Sequence, residues 1–116
     1  MIHDSENLFS YGTLQMEPVQ LDAFGRKLAG QPDALIGYRV ELIATKDHEF
    51  EIRSGATQHR NLRYTGNASD LVEGTVFQLT KEELKQADTY EPWDYQRVQV
   101  ELKSGATAWV YLNKNV

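Results

Sequence analysis

A helix has to begin at Thr80-Lys81-Glu82-Glu83. A threonine followed three residues later by glutamate has the spacing of a capping box, in which each side chain bonds the other residue's amide. The runs on either side are equally constraining. Val72 to Leu79, "VEGTVFQL", reads as a strand whose interior glycine marks a bulge or a close backbone approach. The helix should run from Lys81 to about Glu91. Tyr95 to Leu102, "YQRVQVEL", then alternates as a half-buried strand, "KSGA" turns the chain, and Thr107 to Leu112, "TAWVYL", returns as its hairpin partner.

The first half is less regular. Asn7 to Ser10 reads as a short strand running into a Tyr11-Gly12 turn. Pro18 followed by Val19, Leu21, Phe24 and Leu28 has helical spacing, weakened by about 1 kcal/mol at Gly25. Ala34 to Ala44, "ALIGYRVELIA", reads as one long strand, rich in β-branched and aromatic residues. Lys46 to Gly66 is polar, with short strands expected at Phe50–Ile52 and Leu62–Tyr64. The sum is a small α+β domain, residues 1–116, in which strands curl into a mixed β-barrel with two flanking helices.

Composition narrows the chemistry. With 41% hydrophobic and 25% charged residues the chain has the make-up of a folded domain rather than a disordered one. It has no cysteine, hence no disulfide, thiol nucleophile or cysteine-based zinc site, as suits a reducing cytoplasm. The net charge of -5, with Lys and Arg scattered, argues against a nucleic-acid partner. "MIHDSENLF" lacks the make-up of a signal peptide, and no apolar run reaches the roughly 20 residues that span a membrane. His3, His48 and His59 show no ligand spacing, so no metal is expected, and the acidic, patch-poor sequence points to a monomer.

One carboxylate stands out. Leu84, Ala87 and Glu91 lie at i, i+3 and i+7, so Glu91 points the way Leu84 points, towards the core. Pro92 places it at the helix end. A carboxyl withdrawn from water has its pKa raised, the state that acid–base work near neutral pH requires. A glutamate that frays outward beyond the last turn satisfies the same spacing. Likewise "FSYGTLQ" reads either as a plain strand-to-turn junction or as a loop whose Gly12-Thr13-Leu14 amides turn inward on an anion.

Tyr11 to Leu14, Gly74 to Phe77, Asp88 to Glu91, and Tyr95 with Arg97, in that order, resemble the γ-glutamylcyclotransferase-like family, which includes the γ-glutamylamine cyclotransferases. The resemblance spans nearly the whole chain and is strongest at its two ends. It implies a barrel-like fold with a cavity, no cofactor, and a small-molecule substrate. It also implies an enzyme that cyclises a γ-glutamyl amine or related small amide to 5-oxoproline, with Glu91 as the acid/base. Tyr11, Gly12, Thr13, Leu14, Tyr95 and Tyr111 then become candidate substrate-binding residues. The three tyrosines read equally well as core aromatics with satisfied hydroxyls. Arg39 and Arg97 can meet a substrate carboxylate or form strand-face ion pairs, and Trp93 can serve as a lid or pack outside. A module that binds a small anion without chemistry remains the alternative. The sequence departs from the family in lacking a Tyr-Pro step before the central strand, and the polar stretch with "SGATQHRNLRYTG" can form the cavity's other wall.

Overall fold

The computed structural model describes residues 5–44, 46–55 and 58–114. In chain order these form β1 (Glu6–Ser10), a 3-10 turn (Thr13–Gln15), α1 (Glu17–Phe24), β2 (Gly30–Ile36) and β3 (Tyr38–Ile43). There follow α2 (His48–Ser54), β4 (His59–Tyr64), β5 (Leu71–Leu79), α3 (Lys81–Tyr90), β6 (Tyr95–Glu101) and β7 (Thr107–Asn113).

Five strands form one sheet in the order β2-β5-β1-β7-β6. All neighbours are antiparallel except β1 and β7, which run parallel with Leu8 opposite Trp109. The first strand therefore lies in the middle of the sheet, buried on both faces. Leu8 packs into a cluster with Leu14, Leu84, Ala87, Tyr95 and Tyr111, while Phe9 and Tyr11 join Leu35, Leu62, Val72 and Val110. Such alternation across a strand is what the period of two dictates, and two covered faces explain the unbroken "LFSY" run.

β3 and β4 pair only with each other, as a separate two-stranded ribbon. The expected long strand over Ala34–Ala44 is thus two strands in two sheets. The break falls at Gly37, whose φ of 87° lies in the left-handed region. Its carbonyl accepts from the Thr65 and Gly66 amides, which carries the chain off the first sheet. For the same reason the hydrogen-bonded ladders of the described residues do not close a barrel. Buried Asn61 docks the ribbon on β7: its side-chain oxygen accepts from the Asn113 amide at 2.8 Å.

The helices also differ from expectation. Phe50–Ile52 is not a strand but part of α2, because Asp47 caps it by accepting from the Phe50 amide at 3.0 Å, and Gly55 ends it in the left-handed region. α2 is a third helix beside the two foreseen. Gly25 does not weaken α1 from within; it terminates the helix at Phe24, leaving Leu28 beyond it and Leu21 exposed. Leu28 is buried all the same, because Gln20, itself buried, bonds the Leu28 amide and the Leu14 carbonyl.

The C-terminal half follows its sequence signals closely. Thr80 and Glu83 make both capping-box bonds, at 3.0 Å each. At Gly74 the backbone approach is real: a Cβ there would collide with the Ser10 carbonyl oxygen and come within 2.8 Å of the Phe9 ring. No helix among the described residues is long and apolar enough to cross a membrane.

Candidate active site

α3 stops at Tyr90, and Glu91 is its cap residue in extended geometry, its amide still donating to Ala87 O at 3.0 Å. Ala87 and Leu84 are buried one and two turns earlier, so the inward stripe of the helix leads to Glu91. The residue as a whole keeps some accessible surface, but its carboxyl lies deep. Burial, helped by the negative charge of Asp88, lifts its pKa from 4.5 to about 7. Among the described residues nothing hydrogen-bonds this carboxyl, and no cation lowers its pKa.

The three candidate tyrosines gather around it. Burial raises the pKa of Tyr11, Tyr95 and Tyr111, and the charge of Glu91 adds to the shift at each, so all three stay neutral. Tyr11 Oη donates to Tyr111 O at 2.6 Å, Tyr95 Oη to Arg60 O at 3.1 Å, and Tyr111 Oη to Asp88 Oδ1 at 2.6 Å. They are core aromatics with satisfied hydroxyls and neighbours of Glu91 at once.

Asp88 sits one turn before Glu91. Burial works to raise its pKa, but hydrogen bonds from Arg97 and Tyr111 prevail and hold it below the usual carboxylate range. Arg97 grips it with two bonds, of 2.5 and 3.0 Å, and lies over the Trp109 ring at 4.5 Å. Arg97 is therefore an ion-pair residue, and Arg39 stands exposed on β3.

The Tyr11–Leu14 loop divides by depth. Leu14 is buried in the cluster that holds Tyr95 and Tyr111, whereas Thr13 is exposed. Gly12 has φ -133°, and a Cβ on it would meet nothing within 4 Å, so neither conformation nor packing of the chain demands a glycine there. The Gly12 amide makes a long contact of 3.4 Å with Ser10 Oγ, and the Gly12 carbonyl accepts from the Gln15 amide at 3.2 Å. The Thr13 and Leu14 amides have no acceptor among the described residues.

Other candidates lie apart. An open cleft of about 700 Å³ is lined by residues including Gln15, Asp33, Glu73, Lys103 and Ser104, but not by Glu91 or the tyrosines. Trp93 is 60% exposed and stands outside. His48 is exposed beside Glu51, His59 packs edge-on against Phe50, and His3 lies outside the described residues. No group of three His, Cys, Asp or Glu among the described residues is placed to hold a metal ion.

Sequence reasoning missed how the middle segment reaches the Glu91 loop. Arg53 Nη2 donates to Tyr90 O at 2.9 Å, and Asp47 Oδ2 accepts from the Trp93 amide at 3.2 Å. Asp94, only 1% exposed, accepts from the Lys46 amide and from Asn113 Nδ2, each at 2.9 Å. A single acid inside "EPWDY" carries no spacing signal that could have revealed this.

The sequence pattern of the family described as gamma-glutamyl cyclotransferase, AIG2-like, matches residues 8–116. The chain belongs to that family. The match takes in Glu91 and every other site residue named above. Among solved structures, an Arabidopsis thaliana protein known in solution has a TM-score of 0.71 at 22% identity, over 96% of this chain and 63% of that one. An uncharacterized Homo sapiens protein gives 0.72 at 20% identity, over 95% and 67%. A gamma-glutamyl cyclotransferase gives 0.73 at 15% identity, over 94% and 66%. At these identities the likeness is one of fold, here the cyclotransferase-like α+β fold. The chain spans roughly two thirds of the length of these three proteins. No curated protein matches the sequence.

Proposed function

We propose that this chain is an intramolecular acyl-transfer enzyme of the cyclotransferase type, cyclising a γ-glutamyl amine or related small amide to 5-oxoproline and a free amine. Glu91 carries this reading: a carboxyl at a helix end, with a pKa of about 7, no hydrogen-bond partner among the described residues and three neutral tyrosines around it. In this reading the substrate's own α-amine attacks its γ-carbonyl carbon, so no protein nucleophile is required. Glu91 takes a proton from the ammonium group and delivers one to the departing nitrogen as its bond to carbon breaks. Holding the substrate bent supplies orientation worth several kcal/mol in favourable cases. The Thr13 and Leu14 amides are free to meet a carboxylate or the developing oxyanion, and open space at Gly12 leaves room for a ligand against the backbone. A reducing cytoplasm, which suits a chain without cysteine, is the setting of this reading.

The test is release of 5-oxoproline from a panel of γ-glutamyl amines, γ-glutamyl dipeptides and ε-(γ-glutamyl)-lysine, with Glu91→Gln beside the wild type. Product that disappears in the variant supports the assignment. Silence across the panel from folded protein refutes it. One observation favours the non-enzymatic alternative: the cleft of about 700 Å³ lies away from Glu91 and is lined by charged side chains that can bind a ligand without chemistry.

A further inference from the structure

Arg60 touches the surroundings of Glu91 at both of its ends. It lies on β4, between His59 and Asn61. Its carbonyl oxygen accepts from Tyr95 Oη at 3.1 Å, and its guanidinium Nη1 reaches the Tyr11 carbonyl at 3.5 Å, a contact at the limit of hydrogen bonding. Tyr11 and Tyr95 both feel the charge of Glu91. The Tyr11 carbonyl also immediately precedes the loop whose Thr13 and Leu14 amides lack acceptors among the described residues.

Arg60 has no acid partner among the described residues, although the chain carries 17 acidic against 12 basic residues. Arg26, Arg63 and Arg97 are paired with Glu83, Glu41 and Asp88. Arg53 is committed to the Tyr90 carbonyl and to the rings of Phe50 and Tyr90. Arg39, also without an acid, shares a face with Arg63, whereas Arg60 shares the other face of the ribbon with Leu42. Glu91 is not paired with Arg60 either, since only burial and Asp88 act on its carboxyl. A guanidinium without an acid partner, beside a loop whose amides lack acceptors among the described residues, is suited to a planar, bidentate anion, which a carboxylate provides.

We infer that Arg60 binds a carboxylate of the γ-glutamyl substrate and so sets the specificity of the site; this rests on the cyclotransferase reading. The carboxylate has two sources, the glutamyl α-carboxylate or one borne by the departing amine. Arg60 makes no proton transfer and is a substrate-binding residue. Its side chain is exposed and its bond to Tyr95 runs through the backbone, so Arg60→Gln should fold normally.

The experiment compares wild type, Arg60→Gln and Arg60→Lys on a γ-glutamyl alkylamine, a γ-glutamyl amino acid and the α-carboxamide analogue of the alkylamide. Arg60→Gln should raise KM by about tenfold or more with kcat within about threefold, and Arg60→Lys should recover part of the loss. A loss on both carboxylate substrates identifies the α-carboxylate, and a loss confined to the amino-acid substrate identifies the departing carboxylate. The α-carboxamide or the alkylamide, respectively, should then be insensitive to the substitution. A KM unchanged for all three compounds overturns the inference while leaving the cyclotransferase reading intact. If the wild type turns nothing over, calorimetric titration with L-glutamate and with 5-oxoproline decides. Binding lost in Arg60→Gln upholds the carboxylate site without the chemistry, and equal or absent binding overturns it.

Discussion

Glu91 is poised between two protonation states, and both its chemistry and its effect on folding follow from that. In the unfolded chain the carboxyl has its ordinary pKa of 4.5, and in the fold about 7. Between those values the native state holds a proton that the unfolded state has lost, so stability falls as pH rises through this window and is constant above it. Relative to Glu91→Gln, which does not titrate, the wild type should lose up to about 3 kcal/mol between pH 4.5 and 7, read from urea unfolding at several pH values. Activity should move the opposite way at first. In the proposed reaction the ionised form is the base, so kcat/KM should climb along a limb with its midpoint near 7. Asp88 contributes to that midpoint by repulsion. Asp88→Asn, which can still accept from Tyr111, should move the limb to lower pH, and a midpoint that stays in place would show that burial alone sets it.

Among the elements, local chemistry settles where each begins and ends. Thr80→Ala removes one bond of a complete capping box and should cost about 1 kcal/mol of stability, measured by denaturant titration. Gly37→Ala forces a side chain into left-handed geometry and should cost roughly 1–2 kcal/mol, with a corresponding fall in Tm. The strand over Val72–Leu79, α3 and the hairpin were legible because turn, cap and alternation agree there with the tertiary structure. The break at Gly37 was not, because β-branched and aromatic residues on both sides read as one strand, and only the conformation of the glycine tells them apart. α2 was obscured for a related reason. Phe50 and Ile52 look strand-like in isolation, yet the Asp47 cap decides for a helix, and Ile52, which a strand would have offered to a core, is 83% exposed.

At the scale of the molecule, the site is an assembly of pieces that meet through two apolar clusters and a few buried polar contacts. Helical periodicity left the direction of Glu91 open between core and solvent, and its inward aim, like the nearness of the tyrosines, was favoured only by the family likeness. The docking of the ribbon was not legible at all, since Asn61, Asp94 and Asn113 are polar residues in polar or alternating stretches whose burial no pattern announces. Asn61→Ala should strand the buried Asn113 amide and cost about 1–3 kcal/mol. Because the ribbon also carries the carbonyl that anchors Tyr95, turnover should fall with stability, a coupling that assay and unfolding of the same sample would detect. The central place of β1 has a further consequence for how the chain is made. Tyr11 emerges early in synthesis, yet its hydroxyl is anchored on Tyr111, 100 residues later. A nascent chain, or a fragment ending before Thr107, therefore holds the loop and Glu91 but lacks the Tyr111 carbonyl that anchors Tyr11, so this contact between the two ends of the chain forms only once β7 is in place.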